Sequence, residues 1–458
     1  MEGRGCRIED LSEGKMVERS SSEAVSTRLR RIAELARQMP DKALTNLSHH
    51  IDVDWLREAW RRTRKDGAAG VDGVTAREYE VELETNLRSL LDRAKSGTYR
   101  APPVVRAHIP KGKGRETRPI GIPTLEDKVL QRAVAMALEA VYEQDFRASS
   151  WGFRPGRSAH GALEALWRET MAMNGGWLVE VDIRGFFDAL DHARLRELLH
   201  QRVRDGVILR LIGKWLNAGV LESGSVSYPD SGTPQGGVIS PLLANVYLHE
   251  VLDEWIAQRV APRLRGRVVL VRYADDFVLL FEQEADARRV YTALPERFGE
   301  YGLTLHPDKT RLIHFERPNL WDRDKPKVSF DFLGFTHFWG RSRKGGWILK
   351  RETAKDRFSR GLHRIQQWYR ANRHRRVAEQ HRMLRAKLLG HYAYYGLTGN
   401  FRRLNRFRDE VRRIWRKWLD RRNRERAMSW ERFQRLETRY RLPLARIRPS
   451  PPAHAANP

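Results

Sequence analysis

The chain has 458 residues, 41% of them hydrophobic and 31% charged, and 85 Lys and Arg against 58 Asp and Glu give a formal net charge of +27. That length exceeds the roughly 100 to 200 residues of one domain, so at least two structural units are expected, and the charge calls for a polyanionic partner. No apolar run approaches the ~20 residues that span a bilayer and no N-terminal segment reads as a signal peptide, so a membrane partner is set aside and a soluble intracellular protein is expected. Cys6 is the only cysteine, which leaves no intramolecular disulfide and no cysteine-clustered zinc site. Any metal must sit on oxygen or imidazole, and the scattered histidines, such as His160 and His314, read as ordinary loop or core residues.

In chain order, residues 1–50 read as a flexible leader passing into one amphipathic helix, with apolar spacing at Leu29, Ile32, Leu35 and Ala36. Trp55 to Trp60 is helical, Asp66 to Gly73 is a glycine-rich loop that is either a connector or a phosphate cradle, and Val74 to Leu91 returns to helical spacing. Short strands broken by Pro and Gly follow between Tyr99 and Thr124, with Lys111, Lys113, Arg115 and Arg118 crowded around a turn that suits a triphosphate. Leu125 to Val141 and Ala159 to Met171 are predicted helices on either side of a loop containing Arg154 and Arg157.

Trp177 to Asp182 and Val268 to Leu280 are strand-like, whereas Leu195 to Leu216 and Pro241 to Ile256 are helical, so the fold class is α+β. Asp191 suits the cap of the helix after it, and Ser240 before Pro241 is expected to cap another. From about Thr353 the chain is helical, cationic and studded with aromatics, including Trp368, Tyr369, Tyr392, Trp415 and Trp418, and residues 441–458 read as a disordered tail.

The chemistry lies in the acids. Val271 to Leu280 sets Asp275 and Asp276 between two apolar runs, either as an ordinary hairpin tip or as a metal-binding pair, since adjacent carboxylates repel unless a cation compensates them. Leu178 to Asp188 is an apolar strand ending in Asp182 and followed by the aromatic pair Phe186 and Phe187. One strand end beside one hairpin tip would gather three carboxylates, hard oxygen ligands suited to Mg²⁺. Two such ions about 4 Å apart perform nucleotidyl transfer. The loop Gly232 to Gly237, with Pro234, Gln235 and Gly236, is either a linker or a close-approach loop with Gln235 facing a base or sugar.

Together these segments resemble the group II intron-encoded reverse transcriptases of bacteria, with their maturase region. The resemblance runs through the loop Gly67 to Thr75, Ile109-Pro110-Lys111, Arg118 to Thr124, Gly152 to Ser158, the Asp182 strand, Pro234-Gln235-Gly236 and Tyr273-Ala274-Asp275-Asp276. It continues through Gly302 to Thr310 and Phe332-Leu333-Gly334-Phe335, all in the family's order, and covers about residue 60 to the end of the cationic helices.

The resemblance implies a right-hand polymerase: fingers with an N-terminal extension over residues 51–172, a catalytic palm over 173–340 and a helical thumb and maturase domain over 341–440. It assigns Asp182, Asp275, Asp276 and the carbonyl of Ile183 to two Mg²⁺ ions, with Mn²⁺ as a substitute, and Lys309 to protonation of pyrophosphate, although an ordinary surface lysine is the alternative there. The dNTP is assigned to Lys111, Arg118, Ile183, Phe187, Pro234, Gln235 and Gly236, with Phe187 under the deoxyribose. RNA and primer are assigned to Arg154, Arg157, Phe332, Leu333, Gly334, Phe335, Tyr394, Tyr395, Arg412 and Arg413.

The partners implied are intron RNA, an RNA template with a DNA primer, dNTPs and target DNA, in a bacterial cytoplasm with nucleoid association during action on DNA. Many relatives continue into an HNH endonuclease, and with the chain ending soon after Pro451-Pro452 none is expected here. A nascent strand at a replication fork is then the implied primer source. The alternatives are a splicing maturase with little polymerase activity and a reverse transcriptase domesticated in phage defence.

Overall fold

The computed structural model describes residues 9–110, 117–222, 224–228, 232–233, 236–319, 321, 328–422 and 428–447, with side chains from residue 22 onward except at Pro110. Lys111, Pro234 and Gln235 lie outside the described residues, as do Lys113, Arg115 and residues 448–458. The strands in chain order are β1 (Val104–Pro110), β2 (Thr117–Ile122), β3 (Trp177–Val181), β4 (Val220–Glu222), β5 (Ser225–Ser227) and β6 (Val268–Tyr273). They continue with β7 (Asp276–Phe281), β8 (Arg311–His314), β9 (Ser329–Phe332), β10 (Phe335–Arg341) and β11 (Trp347–Thr353). Among the described residues these form three sheets, ordered β2-β1-β4-β5, β6-β7-β3-β8 and β11-β10-β9, and together with the helices they give the α+β class expected. Among the described residues no helix is long and apolar enough to cross a membrane.

The chain divides into two compact units, one of Met1–Ala162 with Val179–Leu312 and the other of Leu163–Leu178 with Ile313–Pro458. The first is built around the helix Leu125–Tyr142, apolar on nearly every face and therefore buried along most of its length. Trp55, from the helix Val53–Arg62, donates its indole N–H to the Ala133 carbonyl at 2.9 Å. At the chain start the helix runs from Glu9 to Gln38, so it begins well before the apolar spacing at Leu29 that marked it in the sequence, and the flexible leader expected there is helical from Glu9. Asp191 caps the helix His192–Arg202 by accepting from the Arg194 amide at 2.9 Å, as expected.

Ser240 does not cap. It is already inside the helix Ser240–Leu248, Ile239 holds the cap position, and the amides of Val238 and Ile239 are taken by the buried Gln131 side chain at 2.7 and 3.3 Å. The expected helix to Ile256 continues as a π-helix, His249–Val260. Strands β6 and β7 pair in antiparallel register from Val268 opposite Phe281 to Tyr273 opposite Asp276, leaving a two-residue turn at Ala274 and Asp275. β7 is buried at every position after Asp276, the mark of a strand covered on both faces.

The second unit carries β9 to β11 and the helices Lys355–Asn372, Val377–Tyr395, Phe401–Asp420 and Trp430–Arg439. Leu404, Phe407, Val411, Trp415 and Trp418 recur at helical spacing and bury one stripe against Ile365, Tyr369, Leu384 and Leu388. Arg412 closes the packing with a two-pronged pair to Glu437, at 2.6 and 2.5 Å. Residues 441–447 of the expected disordered tail are instead packed down: Leu442 and Ala445 are buried, and the Tyr392 hydroxyl donates to the Pro443 carbonyl at 3.3 Å.

Candidate active site

β3 and β7 are neighbours in one sheet, and the charge of Asp182, the residue after β3, acts on Asp275 in the turn before β7, so the two acids lie near one another. The chain beyond β3 is zipped to residues 304–306: the Arg184 amide donates to Thr304 and the His306 amide to Asp182, each at 2.8 Å, with Ile183 opposite Leu305. That pairing carries the following turn back toward the acid and sets Lys309 Nζ 2.9 Å from Asp182 Oδ2. Both side chains are solvent-accessible, so the pair contributes at most about 1 kcal/mol to stability, and its interest is its position.

Burial, and then the charge of Asp182, push the Asp275 carboxyl above the ordinary carboxylate range, against the pull of its own backbone amide, Arg118 and Arg272. Arg118 on β2 is therefore within electrostatic reach of Asp275. Asp276 opens β7 and is exposed. The gathering of three carboxylates foreseen from the sequence is not complete. Among the described residues no three His, Cys, Asp or Glu side chains stand close enough to hold a metal ion, and Asp182 is turned onto Lys309. The donor set nonetheless fits a hard divalent cation: it is made of carboxylate oxygens, and the charge of Asp182 that helps to hold the Asp275 carboxyl up is one that a cation would offset. Lys309 engages Asp182 through one of its two carboxylate oxygens, Oδ2.

The loop at Gly232 is pinned to the turn after β3: the Gly232 amide donates to Leu190 and the Thr233 amide to Phe187, each at 2.8 Å. Gly236 has φ +126° and lies so close to β2 that a Cβ there would stand 2.3 Å from the Gly121 carbonyl oxygen, which only glycine tolerates. Phe186 is core and Phe187 is left partly exposed, their rings edge to face at 5.3 Å. Gln131, which holds the far end of the loop, is itself held by Asp127, which also accepts from the Tyr99 hydroxyl and Trp215 indole at 2.6 Å each. Burial pushes the Asp127 carboxyl up to about 6 against those three hydrogen bonds.

Several residues assigned to RNA face inward. Arg154 has a side chain 3% exposed, paired with Glu143 and bonded to the carbonyls of Arg147 and Ser150, so it holds its own loop and has no free face for RNA. Arg412 is likewise engaged by Glu437. Phe332 and Phe335 are core, and the accessible part of that motif is the turn between them, where Leu333 and Gly334 both have left-handed backbone, with φ +49° and +77°. Tyr394 donates its hydroxyl to the Leu333 carbonyl at 2.9 Å and Tyr395 packs on the Phe335 ring, so both build the turn. Arg157 lies over Trp151 with a bond to the Ala148 carbonyl, and Arg413 projects outward beside Glu410. The sequence reading passed over Gln131, Asn245, Asp253 and Arg272. The signal available for the last two was a charge inside an apolar run.

The profile of the reverse transcriptase (RNA-dependent DNA polymerase) family matches residues 109–337, half of the chain, with Asp182, Asp275 and Asp276 inside it. Protein YkfC of Escherichia coli (strain K12) is 33% identical over 69% of this chain and 90% of that protein. Group II intron-encoded protein LtrA of Lactococcus lactis subsp. cremoris is 39% identical over 50% of this chain, a match that spans 38% of that protein's own length. Nuclear intron maturase 2, mitochondrial, of Arabidopsis thaliana is 26% identical over 42% of this chain and 30% of that protein. With Asp182 and Asp275 near one another inside the matched segment, the chain belongs to the reverse transcriptase family, among the group II intron-encoded reverse transcriptases and maturases.

Proposed function

We propose that this protein is an RNA-directed DNA polymerase that copies the RNA of a group II intron from a DNA primer and binds that RNA to assist its splicing and mobility. The proposed organisation is a right hand, with fingers over residues 51–172, a palm over 173–340 and a thumb and maturase region over 341–440. The observation that carries the reading is the meeting of Asp182, Asp275, Lys309 and Arg118 at one place in the matched segment.

Asp182, Asp275, Asp276 and the Ile183 carbonyl would hold two Mg²⁺ ions, or Mn²⁺, which when bound favour loss of the primer 3′-hydroxyl proton and stabilise the departing pyrophosphate. Arg118, with Lys111, takes the triphosphate, a forked and a point charge on one anion. Phe187 lies under the deoxyribose and excludes a 2′-hydroxyl, and Pro234, Gln235 and Gly236 let the loop backbone approach the nucleotide. Lys309, released from Asp182, gives its Nζ proton to pyrophosphate. RNA and primer are bound through Arg157 in the first unit and, in the second unit, through the Leu333–Gly334 turn with Tyr394 and Tyr395 and through the outward Arg413. The protein works in the bacterial cytoplasm, on the nucleoid when the copy enters target DNA.

The test is dNTP incorporation by the wild type on a primed RNA template with Mg²⁺. Template-dependent extension is expected. A folded, RNA-binding wild type that extends nothing with Mg²⁺ or Mn²⁺ would sink the polymerase and leave the maturase alone.

A further inference from the structure

Arg272 is fully buried in the apolar strand β6. A guanidinium there is costly unless its donors are all met. Here each of its three nitrogens has a partner. Nε and Nη2 reach the two carboxylate oxygens of Asp253 at 2.8 and 2.5 Å, while Nη1 reaches Asn245 Oδ1 at 2.9 Å and the Ala274 carbonyl at 3.2 Å. Asp253 is 1% exposed and belongs to the π-helix His249–Val260, a rare conformation that often marks functional sites. Asn245, one helix earlier, uses its amide N–H on the Gly152 carbonyl at 2.7 Å.

These bonds converge on one strained residue. Ala274, the first of the two turn residues and the neighbour of Asp275, has φ +57°, a backbone that side-chain-bearing residues adopt only when their surroundings over-determine it. From one side the Arg272 guanidinium holds its carbonyl. From the other, residues 149–152 run along β6, with the Arg272 amide on the Ser149 carbonyl at 2.9 Å and the Trp151 amide on the Arg272 carbonyl at 2.8 Å. Gly152 there lies so close that a Cβ would stand 2.4 Å from the Ala274 nitrogen. Stability alone gives no reason for the buried pair, because apolar residues of similar volume commonly do as well or better. What apolar residues cannot do is hold a carbonyl in place.

We propose that Arg272 is a positioning residue for the catalytic acids: braced by Asp253 on the π-helix and by Asn245, it fixes the Ala274 carbonyl and so the direction in which the turn presents Asp275 and Asp276. The inference rests on the polymerase reading for its activity arm but not for its binding arm. Two variants test it. Arg272→Lys keeps a charge opposite Asp253 without the planar fork, and the double variant Arg272→Met, Asp253→Leu removes both charges while keeping the space filled. Each is measured for folding by circular dichroism, for Mn²⁺ affinity by electron paramagnetic resonance, and for kcat and KM of dNTP on primed RNA.

The expected result, in whichever variants fold, is kcat lower by about 10- to 100-fold with KM for dNTP little changed, and Mn²⁺ affinity lower by about tenfold or more. A folded double variant with wild-type kcat and wild-type Mn²⁺ affinity overturns the brace, and so does failure of both variants to fold, which would make the pair structural. A wild type that binds Mn²⁺ without polymerising overturns the polymerase reading instead, and the Mn²⁺ difference between wild type and variants still decides the brace.

Discussion

Lys309 and Asp182 are 2.9 Å apart, and the two roles open to that lysine, proton donor and ion-pair partner, differ in what its removal does. Lys309→Met is predicted to lower kcat by roughly 100-fold and to erase the alkaline limb of the pH–rate profile, as loss of a general acid does. A variant with reduced thermal stability and an unchanged pH profile would leave Lys309 a surface partner of Asp182. Arg154 and Arg413 make the opposite contrast. Arg154→Ala strands Glu143 and several carbonyls around a buried site and is predicted to cost about 3 to 5 kcal/mol in a denaturant titration. Arg413→Ala, at an outward position, is predicted to leave stability within about 0.5 kcal/mol and to weaken RNA binding. If Arg154→Ala weakened RNA binding at full stability, its inward assignment would be wrong.

The structural elements differ in how they should answer to pH. In the second unit His337, buried on β10, has its imidazole pushed down to about 3 by burial and by Arg351. The folded ring stays neutral while the unfolded one, near 6.5, takes a proton, so stability is complete above pH 6.5 and falls as pH drops toward 3. The loss at pH 5 is about 2 kcal/mol. Asp127 in the first unit has the opposite sign. Its folded carboxyl titrates near 6 against 3.8 unfolded, so its contribution is present below pH 3.8 and lost as pH rises through 6. Hydrogen exchange, corrected for its intrinsic pH dependence, should therefore show β10 opening more readily at pH 5 than at pH 7, and His337→Phe should remove the difference. Equal protection of β10 in the wild type at both values would contradict the cause assigned here.

The same elements show what could be read in advance. The apolar runs flanking Asp275 and Asp276, and the one ending in Asp182, needed only strand periodicity to be placed, and Asp191 needed only its position before a helix. The π-helix was not readable, because its apolar spacing from Leu248 to Ile256 also suits an ordinary helix. Ser240 failed as a cap because the helix starts one residue earlier, and the Leu242 and Leu243 amides that it would have served go to the Ile239 carbonyl at 3.0 and 3.1 Å. Phe332, Phe335, Arg154 and Arg412 were assigned by motif to RNA, yet the direction of a side chain depends on tertiary packing that a motif does not encode. Arg272 was passed over for the same reason: its partners Asn245 and Asp253 come from other elements.

At the scale of the whole molecule the net charge of +27 has one strong consequence. RNA binding dominated by phosphate neutralisation falls linearly in log K against log salt, with a slope of about −0.7 per contact on single strands. A steep negative slope is predicted, and a flat one would contradict a polyanionic partner. The Asp275→Ala, Asp276→Ala variant should retain that slope, since the acids repel phosphate and contribute no contact to it.

The most direct measurement combines both properties: dNTP incorporation on primed RNA with Mg²⁺, and RNA affinity at fixed salt, for the wild type and for Asp275→Ala, Asp276→Ala. Synthesis by the wild type, none by the variant, and equal RNA affinity is the predicted result. Synthesis by the folded variant at a comparable rate would contradict the assignment of the polymerase centre to these acids.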